Sequence, residues 1–236
     1  MSRLAVIPAR GGSKRIPRKN IKLFNGRPMI AYAIGAAIES GLFEEVIVST
    51  DDDEIAEVAS ACGASVPFRR PPDLANDTAG TVPVMSHAAD ALRALGRSPE
   101  LLCCIYPCVP LLRGIDLVAA HDRLVASGAN FAYPVMRFHS SPFRAMRQCA
   151  DGRMEFLFPE HELSRTQDLE PCFFDAGQFY WGRTDAWAQG LRMHTGGIGV
   201  DLGVQRFVDI DTPDDWLRAE WMAQALDRDS QGTDRP

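Results

Sequence analysis

A chain of 236 residues, 46% hydrophobic and 24% charged, is long enough and apolar enough to bury one complete core. Its formal net charge of -6 excludes the dispersed basic surface that nucleic acid or an anionic membrane requires. No stretch suits a signal-peptide core or a bilayer span, since the longest apolar run, 101–112, is short and holds Pro107 and Pro110, so a cytoplasmic protein is expected.

Short β-rich runs alternate with helical patterns, as in βαβ units around a mostly parallel sheet, so the expected class is α/β. Residues 3–8 (RLAVIP) read as the first strand and lead into a glycine-containing basic loop. A helix then opens at Pro28, carries Ile30, Ala33, Ile34, Ala37 and Ile38 on one stripe, and stops at Gly41. EVIVST (45–50) is the second strand, and Asp51 with Glu54 reads as the capping box of a helix striped by Ile55, Val58, Ala59 and Cys62. ASVPF (64–68) reads as a third strand. Helices over 82–95 and 115–127 then alternate with strands over 101–107 and 129–136.

Residues 137–172, rich in Arg, Phe, Pro and Glu, break this rhythm, and so long a departure inside a compact domain is usually functional. Regular patterning returns at FFDAGQFYWG (173–182) and QRFVDID (205–211), before a helix from Pro213 to about Leu226. A single domain over 1–226 results, with 227–236 as a disordered polar tail. The six cysteines form no CxxC pair and no histidine stands at zinc-ligand spacing, so reduced, mostly buried thiols are expected.

IPARGGSKRIPRKN (7–20) gathers five basic residues in an acidic chain, and residues 1–38 hold eight Arg or Lys with no Asp or Glu. Gly11 and Gly12 let the backbone approach an anion with N–H groups turned inward, while Arg10, Lys14 and Lys19 supply full charges. A polyphosphate suits such a loop after the first strand of an α/β sheet. Neither GxxxxGK[ST] nor GxGxxG follows that strand, which removes the main support for P-loop and dinucleotide readings. A solvated basic turn is the plain alternative, and the one-sided charge weighs against it.

In VDIDTPDD (208–215), alternation sends Asp209 and Asp211 to one side and Val208 and Ile210 to the other. Thr212, Pro213 and Asp215 read as N-cap, first turn and capping partner of the next helix. The two aspartates then either hold magnesium beside phosphate oxygens or simply favour the helix dipole.

PARGGSKRIPRKNIKLFNGRP, VIVSTDD, RRPPDLANDTAG and VDIDTPDDW, in this order from Ile7 to about residue 220, together resemble the sialic acid cytidylyltransferases, which couple CTP to nonulosonic acids and release pyrophosphate. The resemblance implies a Rossmann-like nucleotidyltransferase sheet, Mg2+ dependence, and a homodimer in which 138–172 form an arm reaching into the partner. It places Arg10, Ser13 and Lys14 on the CTP phosphates beside the Gly11 and Gly12 backbone, and Lys19 with Asn20 near the reacting α-phosphate. Lys19, Arg10 and Lys14 are thereby the expected catalytic cations, Arg70 and Thr81 line the cytidine, and Asp209 and Asp211 hold metal.

CCIYPCVPLL, SPFRA (141–145), RTQDL (165–169) and DAGQFYWG (175–182) are similar to the pseudaminic acid cytidylyltransferases. Tyr106 stands where N-acetylneuraminate enzymes carry Gln, and the expected sugar contacts are Tyr106, Arg165, Asp175 and Gln178, with Tyr180 and Trp181 as core. N-acetylneuraminic or legionaminic acid is the alternative sugar. A non-catalytic polyphosphate- or RNA-binding module is the alternative from another class.

Overall fold

The computed structural model describes residues 1–203 and 206–231. Strand β1 (Arg3–Pro8) is followed by the basic loop and then by a tight hairpin, β2 (Leu23–Phe24) and β3 (Arg27–Pro28). Asn25 and Gly26 turn that hairpin, both at positive φ (46° and 79°), which is the geometry a two-residue Asn-Gly connection favours. The apolar stripe predicts a helix opening at Pro28 and shows no hairpin; Pro28 instead pairs with Leu23, and helix α1 spans Ile30–Glu39.

Strand β4 (Glu45–Ser49) and helix α2 (Asp53–Ala61) follow, then α3 (Thr81–Ala94), β5 (Leu101–Ile105), α4 (Gly114–Ser127) and β6 (Phe131–Arg137). The irregular stretch carries only a small hairpin, β7 (Met146–Gln148) with β8 (Met154–Phe156), and short 3-10 turns. Then come β9 (Phe173–Asp175), β10 (Phe179–Arg183), α5 (Thr184–Ala188), β11 (Ile198–Asp201) and α6 (Pro213–Gln231). Helix α6 runs past the end expected near Leu226, and residues 232–236 of the expected tail lie outside the described residues.

The main sheet has seven strands in the order β11-β6-β10-β5-β1-β4, with β9 on β6. β1 is parallel to β4 and β5, and β11 is parallel to β6, while β10 is antiparallel to both β5 and β6 and β9 to β6. Five strands therefore share one direction and two oppose it, giving a mixed sheet with a mostly parallel core. Period-two alternation divides β1 between two cores: Ala5 and Ile7 pack with α1, α2 and α4, whereas Leu4 and Val6 pack with α3 and α5. Adjacent Cys103 and Cys104 fall on opposite faces in the same way, and all six cysteines are free.

A third core fixes the site. Phe24 and Met29 around the early hairpin pack against Val208, Ile210 and Trp216, so the VDID segment is clamped beside the basic loop. Residues 206–211 are not a strand, and Gln205 lies outside the described residues, yet Val208 and Ile210 are buried as alternation required. The segment lies against side chains rather than a strand edge, so it keeps the extended pattern without a ladder. Likewise 64–68 forms no strand; Ser65 and Arg69 make single bridges to Ile47 and Thr50.

Candidate active site

In open α/β sheets ligands bind beyond the carboxyl ends of the parallel strands. A cleft of roughly 320 Å3 opens there, past Pro8 of β1 and Tyr106 at the end of β5, which is the range of a small-ligand site. The basic loop lends it Arg10, Ser13, Lys14, Lys19 and Asn20; later loops lend Arg70 and Tyr106, and the first residue of α3 lends Thr81; Asp209 and Asp211 close the far wall. Residues nearly two hundred positions apart in sequence thus face one space.

The loop is braced from behind. Arg18, at a positive φ of 55°, donates to both oxygens of Asp52 at 2.6 and 2.9 Å and also to Glu54. Asp52 accepts the Ile55 N–H at 2.9 Å and is the N-cap of α2, replacing the expected Asp51–Glu54 box. The Arg18 guanidinium holds the Asp52 carboxyl down at about 2. A Cβ on Gly11 would sit 2.5 Å from Asp52 Oδ2, so glycine is required for this approach.

One expectation for the loop changes. The Gly11 N–H donates to Asp51 Oδ1 at 3.0 Å, so it is capped by protein rather than turned toward a ligand. Neither Gly11 nor Gly12 lines the cleft. Asn20, buried, donates through Nδ2 to the Arg10 carbonyl at 2.9 Å and so shapes the loop from within.

The cations of the cleft are held by carboxylates. Arg10 and Lys14 both reach Asp77, at 2.6 and 2.5 Å, and together they lower its pKa, Lys14 more than Arg10. Arg15 meets Asp211 at 2.9 Å, and Lys19 donates to the Ile210 carbonyl at 2.6 Å with Asp211 Oδ1 at 3.4 Å. Burial and then the Asp211 charge push Asp209 up. Asp77 and Arg15 were missed from sequence. Asn76 takes the Asx-turn role in NDT, accepting from Thr78 and Ala79, which leaves Asp77 free to point at the loop.

Arg70 differs from the other cations. Only 5% exposed, it donates to the Ser49 hydroxyl at 3.3 Å and to the Ser49 carbonyl, and among the described residues no carboxylate forms an ion pair with it. Burial lowers its pKa to about 10. A buried guanidinium with spare donors is costly unless a ligand's oxygens complete it.

The expected sugar contacts separate. Tyr106 lines the cleft. Gln178, 3% exposed, lies behind it and donates to the Arg206 carbonyl at 3.0 Å, while Arg206 pairs with Asp116 of α4; together they anchor the approach to Asp209. Asp175 also lies off the cleft lining, partly exposed, accepting from Tyr180 and His194 at 2.7 Å each. Trp181 is core, donating to the Leu117 carbonyl at 3.0 Å. Arg165 sits on the irregular stretch, exposed and paired with Asp168, and does not line this cleft. That stretch presents Phe138, Met146, Met154, Leu157 and Leu163 to solvent.

Among the described residues no group of three or more His, Cys, Asp or Glu converges as a metal cage, and no helix is long and apolar enough to cross a membrane.

Comparison with known proteins gives the family. The Cytidylyltransferase family model matches residues 4–148. The pseudaminic acid cytidylyltransferase of Campylobacter jejuni is 39% identical over 189 residues, covering 80% of this chain and 82% of that protein. The CMP-N,N'-diacetyllegionaminic acid synthase of Legionella pneumophila is 56% identical over 79 residues, 34% of each chain. Among solved structures, CMP:2-keto-3-deoxy-manno-octonic acid synthetase complexed with CTP shares the fold at a TM-score of 0.71 and 18% identity, over 96% of this chain and 100% of that one. The chain belongs to the cytidylyltransferase family.

Proposed function

We propose that this protein transfers CMP from CTP to the anomeric oxygen of pseudaminic acid, giving CMP-pseudaminic acid and pyrophosphate. The observation that carries the reading is the convergence of Arg10, Lys14, Lys19 and the carboxylate-free Arg70 on one cleft opposite Asp209 and Asp211. The similarity to the Campylobacter jejuni enzyme over most of both chains supports the sugar.

In this reading the anomeric oxygen attacks the α-phosphorus in line and pyrophosphate leaves. Such a transfer asks the protein for alignment and charge neutralisation rather than covalent chemistry. Arg10 and Lys14 would exchange Asp77 for the β- and γ-phosphates, and Lys19 would neutralise charge near the α-phosphate. Arg70 and Thr81 would line the cytidine. Asp209 and Asp211 offer two carboxylates with the oxygen donors magnesium prefers, and their mutual repulsion is what a divalent cation relieves. When bound there, Mg2+ would supply charge neutralisation at the phosphates.

Tyr106 would face the sugar, with Gln178 and Asp175 acting from behind the wall. The exposed apolar side chains of 138–172 support a homodimer in which this arm carries Arg165 to the partner's site. The setting is cytoplasmic, and neither nucleic acid nor membrane is a partner. The Legionella pneumophila match favours a second reading, the same reaction on a legionaminic acid.

The experiment is incubation of the protein with CTP, Mg2+ and, separately, pseudaminic, legionaminic and N-acetylneuraminic acids, following pyrophosphate and the CMP conjugate. Pseudaminic acid is expected to give the highest kcat/KM. Conjugation of another of the three in its place would overturn the sugar assignment, and pyrophosphate release with none would overturn the whole reading.

A further inference from the structure

The two carboxylates of the far wall stand on a segment that is not part of the sheet. Residues 206–211 form no strand, and the charges of Asp209 and Asp211 repel, so contacts from outside the segment must hold the two side by side. Its far end is tied by the Asp211 N–H, which donates to Asp215 Oδ2 at 3.2 Å, and by the Ile210 carbonyl, which accepts from Lys19 at 2.6 Å. Between the ends, Val208 and Ile210 are buried in the core around Phe24.

The near end is tied by Gln178 and by Arg206 itself. Gln178 Nε2 donates to the Arg206 carbonyl at 3.0 Å, three residues before Asp209, and the Gln178 carbonyl accepts the Tyr106 N–H at 2.8 Å. One buried residue thus joins the wall that carries Tyr106 to the wall that carries Asp209. The Arg206 guanidinium pairs with Asp116 in the first turn of α4 and donates to the Leu202 carbonyl at 3.2 Å. Asp116 is fixed in its turn, since its Oδ2 also accepts the Arg113 N–H at 3.1 Å. The Asp116 side chain is 5% exposed and that of Arg206 18%, so solvent screens this pair far less than the exposed pairs Lys14–Asp77 and Arg15–Asp211. Gln178, Arg206 and Asp116 do not line the cleft.

We propose that Gln178 and the Arg206–Asp116 pair set the affinity of the site for a divalent cation, by fixing where the chain delivers the Asp209 carboxylate. The inference rests on the reading that Asp209 and Asp211 hold that cation. Magnesium accepts little departure from its octahedron, so a carboxylate on a loosened segment is a poorer ligand even when its chemistry is unchanged. Contacts that orient ligating groups typically govern metal affinity by about tenfold to a hundredfold. The three are positioning residues in this account, acting through the backbone that enters Asp209.

The test is Mn2+ binding to the full-length protein, followed by electron paramagnetic resonance, with the apparent KM for Mg2+ in pyrophosphate release and the melting temperature alongside. The variants are Gln178→Met, Arg206→Met, Arg206→Lys and Asp209→Asn. Gln178→Met and Arg206→Met are each expected to weaken Mn2+ binding by about tenfold or more and to raise the KM for Mg2+ more than the KM for CTP. Arg206→Lys keeps a cation for Asp116 and should stay close to the wild type. Lowered melting temperatures with unchanged Mn2+ affinity would show a merely structural role and overturn the proposal. Should Arg206→Met fail to fold because Asp116 is left buried without its cation, Gln178→Met, which strands no charge, decides alone. Asp209→Asn separates the two layers. If it weakens Mn2+ binding while Gln178→Met does not, only the positioning role fails; if it leaves Mn2+ binding unchanged, the metal reading of the site fails and the inference with it.

Discussion

Replacing Asp52 probes the brace on which the basic loop depends. Its carboxyl is held at about 2 against an ordinary 3.8, which at neutral pH corresponds to at most about 2.4 kcal/mol of stability. Arg18, the principal cause, is 38% exposed, and solvent screening reduces this to about 1 kcal/mol. A depressed carboxyl contributes in full above its unfolded pKa and loses that contribution as pH falls through the folded one, so the window runs from about pH 5 down to about pH 2. Asp52→Asn keeps a side-chain acceptor for the Ile55 N–H but removes the charge, and should cost about 1 kcal/mol at pH 7. Asp52→Ala also loses the cap and should cost about 2 kcal/mol. Urea denaturation followed by tryptophan fluorescence at pH 7 and pH 3 measures both. The wild-type advantage over Asp52→Asn should shrink by at least about half at pH 3. An advantage that is the same at both pH values would refute the assignment of this stability to the Arg18 pair. Pyrophosphate release should fall in both variants, because Gly11 packs directly on the Asp52 carboxylate.

Asp77→Asn should lower the KM for CTP severalfold, most visibly at low ionic strength, because Asp77 occupies Arg10 and Lys14; a raised KM would show that Asp77 assists the nucleotide instead. Lys19→Met should reduce kcat by about a hundredfold or more with the circular dichroism spectrum retained. A change in CTP affinity alone would assign Lys19 to ground-state binding. Gly182→Ala should destabilise by about 1–3 kcal/mol in thermal melts, since a Cβ there would lie 2.7 Å from Phe131 Cε1 and against the Trp187 indole; an unchanged melting temperature would contradict that packing.

Much of the architecture was legible because it is written in local periodicity. The stripe Ile30, Ala33, Ile34 and Ala37 gave α1, and the apolar run at 101–105 gave β5, because burial on one face forces those repeats. Thr212 and Asp215 gave the start of α6, where the Asp215 N–H does meet Thr212 Oγ1 at 3.3 Å and the Thr212 N–H meets Asp215 Oδ2 at 2.9 Å. The failures have physical causes. Alternation at 64–68 and 205–211 reports a buried face but not whether a neighbouring strand is present to complete a ladder. Asp51 and Asp52 are both competent caps, and contacts from the distant loop separate them, the Gly11 N–H taking Asp51 while Arg18 meets Asp52.

The site divides along the same line. One-sided charge over residues 1–38 and the paired aspartates of VDID marked both walls of the cleft, because a binding surface concentrates like charges that an ordinary surface disperses. The sequence by itself therefore determined the chemistry of the ligand and the layered α/β scaffold that presents it. Only tertiary packing decided which groups face the cleft and which stand off it: Phe24 against Trp216 brings the two walls together, Asp51 takes the Gly11 amide, Gln178 turns inward to the Arg206 carbonyl, and Asp175 is held by Tyr180 and the exposed His194. Those outcomes depend on contacts between segments far apart in the chain, and no local pattern of residues records where a distant partner will arrive.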